Sequence, residues 1–145
     1  MKEIKKVVVG GTFEALHAGH RALLKRAFEL GDVTIGLTSG KMARKAKKRK
    51  VKSFSARKKA LKIFVKKEFN SLTEIIKIED KFGPTLRQDF NYIVVSPETY
   101  ETALEINKER KKINKKPIKI IEIKLVLSKD GKPISSTSLL KKLKT

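Results

Sequence analysis

Apolar residues fall in short blocks separated by charged ones, and the period of the blocks alternates along the chain. Ile4 to Val9 ends in a β-branched run, the pattern of a buried strand, and Gly10-Gly11 stops it. From His20 to Leu30 the apolar positions are Ala22, Leu23, Leu24, Ala27, Phe28 and Leu30. That spacing predicts a helix, with Gly31 as its C-terminal stop. Val33 to Leu37 predicts a second strand. Gly40 to Lys52 is very basic with little periodicity and reads as a mobile loop. Ser55 is placed to cap a helix whose apolar face is Ala56, Ala60, Leu61, Phe64 and Val65. Thr73 to Ile78 reads as a third strand, Asp80 to Pro84 as a turn, and Tyr92 to Val95 as a fourth, buried strand. Pro97 suits the first turn of a helix running towards Lys112, which Asn114 to Pro117 breaks. Ile118 to Leu127 predicts a fifth strand and Asp130-Gly131 a turn. Ser135 to Lys144 predicts a short basic helix.

The order is β-α-β-α-β-(short α)-β-α-β-α. Such alternation implies an α/β fold: a single Rossmann-like domain with a five-stranded, mostly parallel sheet and helices on both faces. Neither an internal repeat nor a second domain is visible, so residues 1–145 are expected to form one domain. Ligands of such sheets bind beyond the carboxyl ends of the strands. The first of those ends is Val9-Gly10-Gly11.

Composition narrows the chemistry. At 145 residues and 39% hydrophobic the chain can bury a core without staples. Cysteine is absent, which removes disulfides, thiolate metal sites and cysteine nucleophiles. Only two histidines are present, so a histidine-rich metal site is excluded as well. Lys+Arg outnumber Asp+Glu by 36 to 15, a formal net charge of +21, and such a surface expects polyanions. Trp is absent and aromatics are 6%, which is thin for stacking nucleic-acid bases. The basic start carries only Val7-Val8-Val9 before two glycines, and no run approaches the length of a membrane span. The expectation is a cytoplasmic protein with no membrane association.

Both histidines fall in the loop after the first strand, Gly10-Gly11-Thr12-Phe13-Glu14-Ala15-Leu16-His17-Ala18-Gly19-His20. The glycines let backbone N–H groups approach a ligand closely. Gly19-His20 opens a helix, whose N-terminus attracts anions. His17 and His20, three residues apart, can face one phosphate. For a lone histidine a structural role is the commoner reading, but two in one strand-end loop favour a site. A dinucleotide fingerprint does not fit Gly10-Gly11-Thr12, and Gly40-Lys41-Met42 lacks the spacing and hydroxyl of a Walker A loop.

Gly-Gly-Thr-Phe-x-x-Leu-His-x-Gly-His resembles the H-x-G-H signature of the nucleotidyltransferase superfamily. Ile134-Ser135-Ser136-Thr137-Ser138-Leu139-Leu140 resembles that superfamily's second motif, at the start of the final helix. Ile93 to Tyr100, Ile106-Asn107, Arg110, Asp130 to Pro133 and Lys52 to Lys58 are similar to the archaeal type of phosphopantetheine adenylyltransferase. The similarity covers nearly the whole chain. It implies transfer of AMP from ATP to 4′-phosphopantetheine, giving dephospho-coenzyme A and pyrophosphate. Glu14 stands where the family usually has Asp, and Gly40 where an acidic residue is expected. Ser138 and Leu140 replace two arginines of the common second motif.

The resemblance implies His20 and His17 as catalytic residues. It also implies ATP contacts from Gly11, Thr12, Phe13, His17, His20, Glu98, Arg110, Ser135, Ser136 and Thr137. Thr12, Lys41 and Lys48 are expected at the acceptor phosphate, with Mg²⁺ bridging the phosphates of ATP rather than held by a protein site. The Lys41 to Lys52 run stays open between a solvated charge run, a phosphate-gripping lid and a nucleic-acid patch. Arg57 and Arg110 read equally well as helix-surface cations. The competing functions are a cytidylyltransferase, an FAD synthetase, a basic nucleic-acid-binding module and an inactive family member. A monomer or small homo-oligomer is expected.

Overall fold

The structure, a computed structural model, describes residues 4–48 and 50–123. Five strands are present: β1 (Lys6–Gly11), β2 (Asp32–Thr38), β3 (Glu74–Ile78), β4 (Tyr92–Val95) and β5 (Lys119–Glu122). Four helices alternate with them: α1 (Ala18–Leu30), α2 (Gly40–Lys47), α3 (Phe54–Phe69) and α4 (Tyr100–Lys112). A short 3₁₀ turn, Gly83–Leu86, precedes β4. The strands form one sheet in the order β3-β2-β1-β4-β5, and every pairing is parallel. The chain winds outward from β1 through β2 to β3, then crosses to β4 and β5 on the other side. The winding reverses between β1 and β4, so the crevice of the fold opens beyond their carboxyl ends.

Both faces of the sheet are covered, which is why β1 reads as an unbroken apolar run. Val7 and Val9 pack with Leu24 and Ala27 of α1 and Leu61 and Val65 of α3. Val8, Ile93 and Val95 point to the opposite face, against Ala103 and Ile106 of α4 and Ile118. Among the described residues no helix is long and apolar enough to cross a membrane.

The structure corrects the predicted elements in three places. The basic segment after β2 is not a loop from Gly40 onward, because Gly40–Lys47 is helix α2. The Ser39 hydroxyl accepts from the Met42 N–H at its N-terminus. Lys48 closes it in the left-handed conformation, φ 56°. Its inward side is the buried Ala43 and the half-buried Met42, a short apolar pair hidden among cations. Helix α3 starts earlier than expected: Ser53, not Ser55, is the cap, and its Oγ accepts from the Ala56 N–H. The buried face of α3 is Arg57, Leu61 and Val65, while Ala56 and Ala60 are exposed. Pro97 lies before α4 rather than in its first turn; Thr99 is the N-cap. The predicted Asp130-Gly131 turn, the final helix, and Ser135, Ser136, Thr137, Ser138 and Leu140 lie outside the described residues.

Candidate active site

The turn leaving β1 is held in a conformation that ordinary residues avoid. Phe13 has φ 47°, in the left-handed region, where a bulky side chain costs on the order of 1 kcal/mol or more. Burial secures it: the Phe13 side chain is 2% exposed and joins the core cluster beneath α1 and α3. Its ring also lies under Gly11, where an added Cβ would meet it at 3.0 Å. A side chain at Gly11 would press on that ring, so glycine suits the close packing of the turn. Strain of this kind concentrates at binding turns.

The turn delivers both histidines to the start of α1. His17 is the N-cap, and its Nδ1 accepts from the Gly19 N–H at 2.9 Å. With Nδ1 accepting, a neutral ring carries its proton on Nε2. His20 lies one turn on. The two imidazole centroids are 4.1 Å apart, and the Phe13 ring is 5.1 Å from His20. Among the described residues, His20 Nδ1 is buried without a hydrogen-bond partner.

This packing decides the charge. Burial pushes His20 down to about 4; the nearby His17 and Lys47 push the same way, and the Ala15 backbone opposes them. Burial also lowers His17, against a raising influence from Glu98. At neutral pH both rings are neutral in the free protein. A triphosphate entering here meets neutral donors and the α1 N-terminus rather than a preformed dication.

The depressed His20 has a consequence for stability. Between pH 6.5 and about 4 the unfolded chain binds a proton that folded His20 refuses. The contribution is complete above pH 6.5 and is lost as pH falls towards 4; it is on the order of 3 kcal/mol. The His17 shift has the same sign. Urea unfolding at about pH 7 and about pH 4.5 is expected to show a smaller acid loss in His20→Gln than in the native chain. An equal loss in both would contradict the buried, neutral state of His20.

Arg57 ties the turn to its surroundings. It is 1% exposed, so it is not the helix-surface cation its sequence position allows. Its Nε donates to Lys52 O at 2.8 Å, and Nη1 donates to Thr12 O at 3.1 Å and to the Thr38 hydroxyl at 3.2 Å. The Thr38 hydroxyl donates in turn to Thr12 Oγ1 at 3.1 Å. Glu14 accepts from the Lys52 N–H at 2.8 Å. Burial lowers the Arg57 pKa and the Glu14 charge opposes this.

The structure brings Gly11, Thr12, Phe13, His17 and His20 together, with Glu98 exposed beyond the end of β4 and close enough for His17 to sense its charge. Arg110 is placed elsewhere. It is 1% exposed and donates to Lys116 O, Thr85 O, Gln88 O and Asp89 Oδ1. These partners lead into β4 and β5, at the amino edge of the sheet, opposite the His17–His20 turn. Nε, Nη1 and one N–H of Nη2 donate inside the protein, and the structure does not bring Arg110 to the turn with the other residues expected at ATP. The Arg110 hydrogen bond holds the Asp89 carboxyl below its usual range. Lys41 on α2 and Lys48, its C-cap, are both exposed. The α2 lysine whose charge reaches His20 is Lys47. Sequence reading missed it because this segment reads as a loop, which gives no reason to single out one lysine of the run.

A cavity of about 290 Å³ opens beside the turn, at the lower end of the range for small-molecule pockets. Its floor is Gly10, Gly11 and Gly36. Thr38 and Met42 line one side and Phe82, Thr99 and Ile106 the other, so its wall is mostly apolar. Gly36 keeps the floor low, since an added Cβ would meet Ile78 at 3.0 Å. The described residues contain no cluster of three His, Cys, Asp or Glu able to hold a metal ion.

A helix start that attracts anions, beside an apolar cleft and at the switch point of a doubly wound sheet, has the chemistry to receive a phosphorylated ligand. Residues 8–142 match the cytidylyltransferase-like family, and the chain belongs to it. The similarity sharpens within that family. The chain is 48% identical over 136 residues to the phosphopantetheine adenylyltransferase of Archaeoglobus fulgidus, spanning 92% of this chain and 91% of that protein. It is 46% identical over 142 residues to the protein of that name from Methanopyrus kandleri, spanning 96% and 90%. These similarities place it among the phosphopantetheine adenylyltransferases. A crystal structure of an Archaeoglobus fulgidus protein of unknown function superposes with a TM-score of 0.80 at 43% identity, covering 90% of this chain and 99% of that one. A pantoate-β-alanine ligase from Francisella tularensis shares the fold alone, with a TM-score of 0.60 at 17% identity over 97% of this chain and 66% of that one.

Proposed function

We propose that the chain transfers the AMP moiety of ATP to 4′-phosphopantetheine, releasing pyrophosphate and forming dephospho-coenzyme A. The observation that carries this reading is identity of 43–48% along nine-tenths of the chain to relatives named for that reaction. The turn beyond β1 supports it, because it gathers Gly11, Thr12, Phe13, His17 and His20 at one anion-attracting helix start.

In the reaction an oxygen of the acceptor phosphate attacks the α-phosphorus of ATP. The bond from that phosphorus to the β-phosphate bridging oxygen breaks, and pyrophosphate leaves with that electron pair. Little covalent chemistry is asked of the protein, which works by positioning and by meeting the developing charge. The Gly11–Phe13 backbone and His17 receive the triphosphate. His20 stabilises the transferring group, Glu98 borders the nucleoside, and the Thr12 hydroxyl faces the acceptor phosphate. Lys47 supplies positive charge next to His20, and Lys41 on the same helix and Lys48 at its cap are assigned to the acceptor phosphate by resemblance. Ser135, Ser136 and Thr137 are assigned to the β- and γ-phosphates by resemblance. The apolar cavity over Gly10 and Gly36 takes the pantetheine arm. Mg²⁺ is read as arriving on the triphosphate, as part of the substrate, and the site is read as lying in the cytoplasm.

The test is pyrophosphate release in the presence of Mg²⁺, with 4′-phosphopantetheine present or omitted and CTP in place of ATP. Release that requires both ATP and 4′-phosphopantetheine is expected. Release with CTP, or only with another phosphate ester, would overturn the substrate assignment.

A further inference from the structure

The Arg57–Thr38–Thr12 chain has a direction, and the direction ends at the substrate. We infer that Arg57 and Thr38 are positioning residues for the acceptor phosphate: they orient the Thr12 hydroxyl so that its proton points to the incoming phosphate oxygen. The inference rests on the reading of nucleotidyl transfer to a phosphate acceptor.

A guanidinium is always charged and only donates. Arg57 Nη1 gives one proton to Thr12 O and the other to Thr38 Oγ1. With a lone pair of Thr38 occupied from that side, the Thr38 proton is directed to Thr12 Oγ1. Thr12 Oγ1 is then an acceptor towards Thr38, and its own O–H points away from Thr38. Among the described residues that O–H has no acceptor. Thr38 is buried at 6% exposure and Arg57 at 1%, whereas Thr12 is half-buried at the mouth of the turn. The fixed, dry end of the chain is therefore the cation, and the open end is the hydroxyl. Each donation polarises the next hydroxyl and makes the last proton a better donor to an anion.

A merely structural arginine would be a poor choice here. Arg57 Nη2 is buried with no partner among the described residues, which costs free energy that an apolar side chain at the head of the Leu61–Val65 face would avoid. The cation is explained by what it does to the two hydroxyls.

The test exploits the near-equal size of Thr and Val. In Thr38→Val the relay is cut, and the KM for 4′-phosphopantetheine is expected to rise about tenfold, the effect of one charge-assisted hydrogen bond. The KM for ATP should stay within about twofold of the native value. Unphosphorylated pantetheine, used as a competitive inhibitor, reads the same cavity without the phosphate, and its inhibition constant should not move. Thr38→Ser keeps the hydroxyl and should restore the acceptor KM. Thr12→Val with Thr38→Val should be no worse than Thr12→Val alone. A Thr38→Val protein with an unchanged acceptor KM overturns the inference. Equal losses for acceptor, ATP and pantetheine, or losses that add to those of Thr12→Val, mean plain packing and overturn it too. If the native chain uses a different phosphate ester, the acceptor assignment falls while the same comparisons with that ester decide the relay. Turnover with no phosphorylated acceptor would remove both.

Discussion

His20→Ala is expected to lower kcat for AMP transfer by about 10²–10³-fold, the cost of losing one preorganised donor at the transferring group. The KM for ATP should change little, because the Gly11–Phe13 backbone, His17 and the α1 start still receive the triphosphate. Folding should survive at neutral pH. The ring is neutral there, and Phe13 keeps its seat among Leu23, Leu24 and Leu61. His20→Gln, with a neutral side chain that still donates, should recover part of the loss. Steady-state pyrophosphate release checks this, alongside a thermal melt of each variant. A near-native kcat in His20→Ala would remove the role assigned to it.

Arg110→Met should act in the opposite sense, on stability and not on ATP. The guanidinium satisfies the carbonyls of Thr85, Gln88 and Lys116 and reaches Asp89. Removing it leaves the buried Thr85 carbonyl and the part-buried Gln88 and Lys116 carbonyls without this donor, and an orphaned buried polar group costs about 1–3 kcal/mol. Chemical denaturation should show a loss of that size. At temperatures where the variant stays folded, its KM for ATP should match the native value. A large rise in that KM with unchanged stability would place Arg110 at the nucleotide after all.

These two residues show what could be read from the sequence. The strands were legible because burial on both faces of a parallel sheet leaves continuous runs such as Val7-Val8-Val9 and Ile93-Val94-Val95. The turn was legible because both histidines of the chain fall in it. The two buried arginines were not, since a cation in a lysine-rich helix gives no sign of facing inward. Arg57 shows itself only through its spacing of four from Leu61 and of eight from Val65. Arg110 is held by partners from two separate segments, Thr85 to Asp89 and Lys116, a tertiary fact with no local signature. Helix α2 was hidden for a related reason: its inner face is small and apolar, and surrounding cations swamp the period.

The central claim is direct transfer of AMP onto the acceptor phosphate at the turn beyond β1. Its most direct test is mass spectrometry of the products formed from ATP and 4′-phosphopantetheine whose phosphate oxygens carry ¹⁸O. The account predicts dephospho-coenzyme A that retains the whole label, with unlabelled pyrophosphate. Label in the pyrophosphate, or no adenylylated product, would contradict it.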